Sequence, residues 1–121
     1  MINVARALHS FWNSFGISAY VEDNLPSDIQ IPYITYTLNQ PDWRDPSSIQ
    51  ARVWYKGTGY TALMTKVDEI SNTIGEGYSI KTDDGSVILL KDTNFIQIQP
   101  FIEESKLRVA YLNLIMYAHT N

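Results

Sequence analysis

The sequence predicts an α+β domain: a mainly antiparallel sheet with two helices packed on one face. Three observations carry this. Two stretches, residues 3–15 and 59–74, repeat apolar residues at helical spacing. The β-rich runs between and after them are joined by short turn segments, the pattern of hairpins rather than of parallel crossover units. The 121 residues also contain no repeat, low-complexity tract or interdomain linker, so a single domain over residues 1–121 is expected.

In chain order, Val4, Leu8, Phe11, Trp12 and Phe15 form the stripe of the first helix, with Asn3 as its cap and Gly16 as its stop. Residues 17–22 alternate like a strand, and Asp23-Asn24-Leu25-Pro26-Ser27-Asp28 is loop chemistry. Residues 33–39 and 48–56 are strands close enough in sequence to pair antiparallel. Thr58 is placed to cap the second helix, whose stripe is Leu63, Val67, Ile70 and Ile74, and Gly75 and Gly77 end it. Residues 78–82 and 86–90 flank Asp83-Asp84-Gly85, a hairpin turn in which Gly85 is expected to take positive φ. Residues 95–101 set Ile96 and Ile98 against Gln97 and Gln99, and residues 106–118 make the last strand.

That last strand is long. Thirteen residues span on the order of 40 Å, against about five or six residues for a common strand. Leu107, Val109, Tyr111, Ile115 and Tyr117 alternate with Ala110, Leu112, Leu114, Met116 and Ala118, so both faces are apolar. Two helices cover only one face of such a sheet. The strand is therefore either the centre of a two-layer core or a subunit interface carried by Leu112, Leu114 and Met116.

Bulk charge narrows the partners. Nine basic and thirteen acidic residues give a net charge of −4, which opposes a phosphate-gripping surface. There is no cysteine, which removes disulfides, thiol nucleophiles and Cys-ligated zinc and suits the cytoplasm. No apolar run is long enough for a membrane-spanning helix, and Arg6 and His9 interrupt the N-terminal pattern that a signal peptide needs.

Motifs for chemistry are weak. Gly57-Thr58-Gly59-Tyr60-Thr61-Ala62 has the G-x-G-x-x-A spacing of a dinucleotide loop, and Asp83 follows the next strand. The preceding Arg52-Val53-Trp54-Tyr55-Lys56 is too polar for a buried parallel strand, so a flexible strand-to-helix turn is the simpler reading. His9 and His119 lack signalled carboxylate partners, and Asp83, Asp84 and Asp92 lack the spacing of a calcium loop. Glu103 and Glu104 read as loop charges. No catalytic, cofactor-binding or metal residue is expected, and the chain is not expected to be an enzyme.

The informative segment is residues 31–56, two β-rich runs around Gln40-Pro41-Asp42-Trp43-Arg44-Asp45-Pro46. Trp43 and Arg44 are anchor types for macromolecular contacts, and Arg52 and Trp54 on the next strand enlarge the group. Pairing of Arg44 with Asp42 or Asp45 would instead make a rigid turn.

A helix, a short strand, Leu25-Pro26, then Pro32-Tyr33-Ile34-Thr35-Tyr36 and a long polar loop open the chain. A strand, a second helix and C-terminal strands ending in Arg108-Val109-Ala110-Tyr111-Leu112-Asn113-Leu114-Ile115-Met116-Tyr117 complete it. Over nearly its whole length this order resembles the tail terminator, or tail-completion, proteins of long-tailed bacteriophages and prophages. The resemblance implies a mixed, mainly antiparallel sheet with helices on one side. It also implies a ring, typically a hexamer, that caps the completed tail tube, stops its polymerisation and presents a surface to the head connector. The implied partners are copies of the chain, the major tail tube protein and the connector protein, with DNA only as passing cargo. The implied location is the head-proximal end of the virion tail, after assembly in the host cytoplasm. No site residues transfer by identity. A head-closure component of the phage neck, or a small host ligand-binding domain, are the alternative readings.

Overall fold

The computed structural model describes residues 2–38, 46–57, 59–99 and 106–120. Helix α1 (Ile2–Trp12) runs into a 3-10 turn (Asn13–Phe15), and Gly16 at φ 84° reverses the chain into β1 (Ser18–Val21). Asn13 fixes this exit from both sides. Its amide donates to the His9 carbonyl at 2.8 Å, and its carbonyl oxygen accepts from the Ala19 backbone at 3.0 Å. Strands β2 (Tyr33–Tyr36) and β3 (Ser47–Lys56) follow, then α2 (Thr61–Ile74). The chain closes with β4 (Tyr78–Thr82), β5 (Gly85–Ile98) and β6 (Leu107–Thr120).

The six strands form one sheet in the order β1-β2-β3-β6-β5-β4. β1 and β2 are parallel and every other pair is antiparallel, so the sheet is mixed and mainly antiparallel. One apolar cluster joins Leu8, Phe11 and Trp12 of α1 and Leu63, Val67, Ile70 and Ile74 of α2 to Ile34, Ala51, Val53, Leu89, Leu112 and Leu114 of the sheet. Both helices therefore lie on the same face, as the sequence predicts. Fully burying one such aliphatic side chain stabilises the fold by about 1.5–3 kcal/mol. Aromatic contacts fill the space under α1: Trp12 stacks on Tyr36 at 6.3 Å and meets Phe11 edge-on at 4.8 Å.

The differences from the sequence reading have local causes. Asn3 lies inside α1 rather than capping it, because the helix already includes Ile2. Tyr60 holds the N-cap position of α2 without a side-chain cap bond, and Thr58 lies outside the described residues. Gly85 is a strand residue opposite Thr82, so Asp83 and Asp84 alone make the turn; Gly85 is not among the positive-φ glycines. Residues 86–90 and 95–98 belong to one strand, because β5 stays paired to β6 on both sides of an irregularity between Lys91 and Ile96. The continuation to Phe101 lies outside the described residues.

The largest correction concerns β6. Leu112, Leu114 and Met116 are 0% exposed and belong to the chain's own helix-side core, so they present no surface to a partner. Their alternates are Tyr111, Asn113, Ile115 and Tyr117. These are half-buried and face away from the helices.

Candidate association face

Strand alternation builds the second face of the sheet. Tyr20 on β1, Tyr33 and Thr35 on β2, Arg52 and Trp54 on β3, and Val109 and Tyr111 on β6 all project from it. Their registers place them in adjacent rows: Tyr33 opposite Trp54, Trp54 opposite Val109, Thr35 opposite Arg52, and Arg52 opposite Tyr111. Among the described residues no helix packs on this face.

The larger side chains lie across their neighbours. Tyr33 stacks on Trp54 with ring centroids 5.8 Å apart, and Tyr20 meets Tyr33 edge-on at 6.4 Å. The Trp54 indole N–H donates to the Thr35 hydroxyl at 3.1 Å. The Arg52 guanidinium sits 5.0 Å from the centre of the Tyr111 ring, and the Tyr111 hydroxyl donates to the Gln99 side-chain oxygen at 2.7 Å. Thr35 is only 2% exposed on this face. Burial also pushes the Tyr33 phenol above its ordinary pKa.

Arg52 Nε lies 3.2 Å from Glu22 Oε1, yet neither atom makes an aligned hydrogen bond. The distance supports a Coulombic contact, and with both side chains a quarter or more exposed it contributes about 0–1 kcal/mol. Below this pair, Gln50 donates to the Asn113 side-chain oxygen at 3.0 Å, and Asn113 donates to the Asn94 carbonyl at 2.8 Å. The face is thus an amphipathic, mostly self-satisfied layer with planar groups outermost, suited to packing against another surface.

The sequence-predicted residues divide into three groups. Arg52 and Trp54 are brought together here. Leu112, Leu114 and Met116 are not, because they point into the core. Trp43, Arg44 and Asp45 lie outside the described residues. Sequence reasoning missed Tyr20, Tyr33, Thr35 and Tyr111; period-two alternation combined with the register would have put them on the face of Trp54.

Other chemistry-bearing groups stay apart. His9 is on the exposed side of α1, while His119 on β6 shares the face of Tyr117, on the opposite side of the sheet from α1. Among the described residues no cluster of His, Asp and Glu could hold a metal ion. β3 lies between two antiparallel neighbours, unlike the strand of a dinucleotide-binding unit, and the Gly57 carbonyl beyond it accepts from Arg108 Nε at 3.2 Å. An open hollow of about 250 Å³ between α1 and β4 is lined by Asn3, Arg6, Ser10, Lys81, Thr82 and Asp83, a mixed-charge surface. No described helix is long and apolar enough to cross a membrane. The sequence matches no protein-family model and no curated protein.

Proposed function

We propose that the chain is a virion assembly protein that closes into a ring on the end of a completed phage tail tube. There it stops tube polymerisation and offers a surface for joining the head. The observation that carries this reading is the sheet face holding Tyr33, Trp54, Arg52 and Tyr111, on which no described helix packs. Planar aromatic groups and a guanidinium on a broad face form a surface for protein contact. The resemblance to tail terminator proteins supplies the kind of assembly. A net charge of −4 suits a ring through which DNA passes without being retained.

The test uses the purified chain alone and with assembled tail tubes. Light scattering should report a closed oligomer, and electron microscopy should show density at one tube end, with tubes that no longer elongate. A chain that stays monomeric and never binds tube ends ends this reading. Particles lacking the gene separate it from a neck component: over-long or unjoined tails support the tail role, and leaking heads support the neck.

A further inference from the structure

We infer that the distal half of β5 is a strand-docking edge, and that its occupant is the same segment of a second copy, running antiparallel about a twofold axis at Gln97. Such a contact is isologous and joins copies in pairs. It is therefore separate from the heterologous contact that closes a ring, and it goes beyond that reading.

The hydrogen-bond phase of β5 shows where its free backbone groups point. The Gln99 N–H donates to the Val109 carbonyl at 3.0 Å, and two residues earlier Gln97 pairs with Tyr111. Bonded and non-bonded pairs alternate along an antiparallel ladder, so Gln97 and Gln99 bond to β6. The N–H and C=O groups of Ile96 and Ile98 then point away from β6, to the free side. β4 does not reach them, since it pairs only with residues 85–89. Among the described residues, β6 is the one strand that pairs with this half of β5. Ile96 and Ile98 register with Leu112 and Ala110 and so lie on the helix side, yet they remain 37% and 39% exposed.

The other edges of the sheet are closed or defended. At β1 the Asn13 side chain accepts from the Ala19 N–H at 3.0 Å and donates to the Ala19 carbonyl at 3.4 Å, taking the place of a neighbouring strand. β4 is five residues long and carries the exposed Lys81, a charge that opposes strand addition. Residues 93–99, Thr-Asn-Phe-Ile-Gln-Ile-Gln, hold no charge, Pro or Gly, so nothing in them repels an added strand.

These edges favour β5 of a second copy over its β1 or β4. With Gln97 opposite Gln97, each Ile96 faces the second copy's Ile98, and the outward donors and acceptors of both strands come into phase. About four main-chain hydrogen bonds form, and the isoleucines of both copies meet on the helix side. No like charges meet within residues 93–99.

Cross-linking of the full chain tests this. The chain has no cysteine, so Gln97→Cys carries a single thiol. Facing residues in a non-bonded antiparallel pair lie about 4.5 Å apart between Cα atoms, within the span of a disulfide. Mild oxidation should therefore convert Gln97→Cys to a covalent dimer at least about tenfold faster than Lys81→Cys, an exposed position on the β4 edge. Adding Ile98→Pro removes an outward N–H that β6 does not use and should slow the cross-link about tenfold, with circular dichroism unchanged. Ile98→Lys should do the same by placing charge on the edge. Equal rates for Gln97→Cys and Lys81→Cys overturn the assignment, as does a fast cross-link that neither Ile98 substitution slows; tube capping by the chain would leave the ring reading standing in either case. A chain that cross-links as expected but never binds tube ends ends the ring reading and keeps this contact.

Discussion

On the sheet face opposite the helices, the Trp54 indole of β3 donates to the Thr35 hydroxyl of β2 at 3.1 Å. The two residues are diagonal neighbours, since Thr35 pairs with Arg52 and Trp54 pairs with Tyr33. A diagonal bond lays the indole along β2 and brings it into its 5.8 Å stack with Tyr33.

A coupling between the two side chains follows from this bond. Thr35→Val removes the acceptor from a nearly solvent-free site and should cost about 1 kcal/mol in urea unfolding. Trp54→Phe removes the donor and should cost about 1–2 kcal/mol. The double variant should cost about 0.5–1 kcal/mol less than the sum. Strict additivity would mean that stacking on Tyr33 alone positions the ring.

Arg108 predicts a second coupling, on the helix side. This guanidinium is only 4% exposed, lies 4.3 Å from the centre of the Tyr60 ring, and donates through Nε to the Gly57 carbonyl. It thereby binds the passage from β3 into α2 to the start of β6. Lysine cannot reproduce a planar group that stacks and donates sideways. Arg108→Lys should therefore cost about 2 kcal/mol in unfolding free energy. In a double-mutant cycle with Tyr60→Leu, the loss should be less than additive.

The burial of β6 predicts opposite consequences for adjacent positions. Leu114→Ala empties a fully buried site and should cost about 2–5 kcal/mol. Ile115→Ser, on the open face, should cost under about 1 kcal/mol while weakening association. Urea unfolding and light scattering together check this pair. The reverse ranking would put the core on the wrong side of the strand.

Helix periodicity made α1 and α2 legible because each buries one stripe: Leu8, Phe11 and Trp12, and Leu63, Val67, Ile70 and Ile74. The strands were also visible, but their faces were harder to read. β6 is apolar on both sides, so composition could not say whether Leu112 or Tyr111 faced the helices. That choice depends on partners distant in sequence, such as Ala51 opposite Leu112 and Arg52 opposite Tyr111. Part of the candidate site was legible because Arg52 and Trp54 share one strand. Tyr33 joined it through the antiparallel β2–β3 register, and Tyr20 only through the parallel β1–β2 pairing, which no local turn encodes. The irregularity in β5 was hidden for a related reason: Ser86-Val87-Ile88-Leu89-Leu90 and Phe95-Ile96-Gln97-Ile98 each look like complete strands.

The turn between β4 and β5 predicts an acid-dependent contribution to stability. The Asn3 side chain from α1 and the Thr82 hydroxyl hydrogen-bond the Asp84 carboxylate, the latter at 3.1 Å, and hold its pKa below the ordinary carboxylate value. A pKa depressed on folding means that the unfolded chain binds the proton more readily. The contribution is therefore complete above about pH 4, near the unfolded pKa, and disappears as pH falls through the lower folded pKa. Asp84→Asn should be less stable than the native chain near neutral pH, and the gap should close on acidification. Asn3→Ala should reproduce part of the effect by removing the largest cause of the shift, while leaving Thr82 in place. Urea unfolding at a series of pH values between about 2 and 7 reads the gap directly. A gap that does not narrow in acid would trace the loss to the turn's backbone instead of the ionised carboxylate.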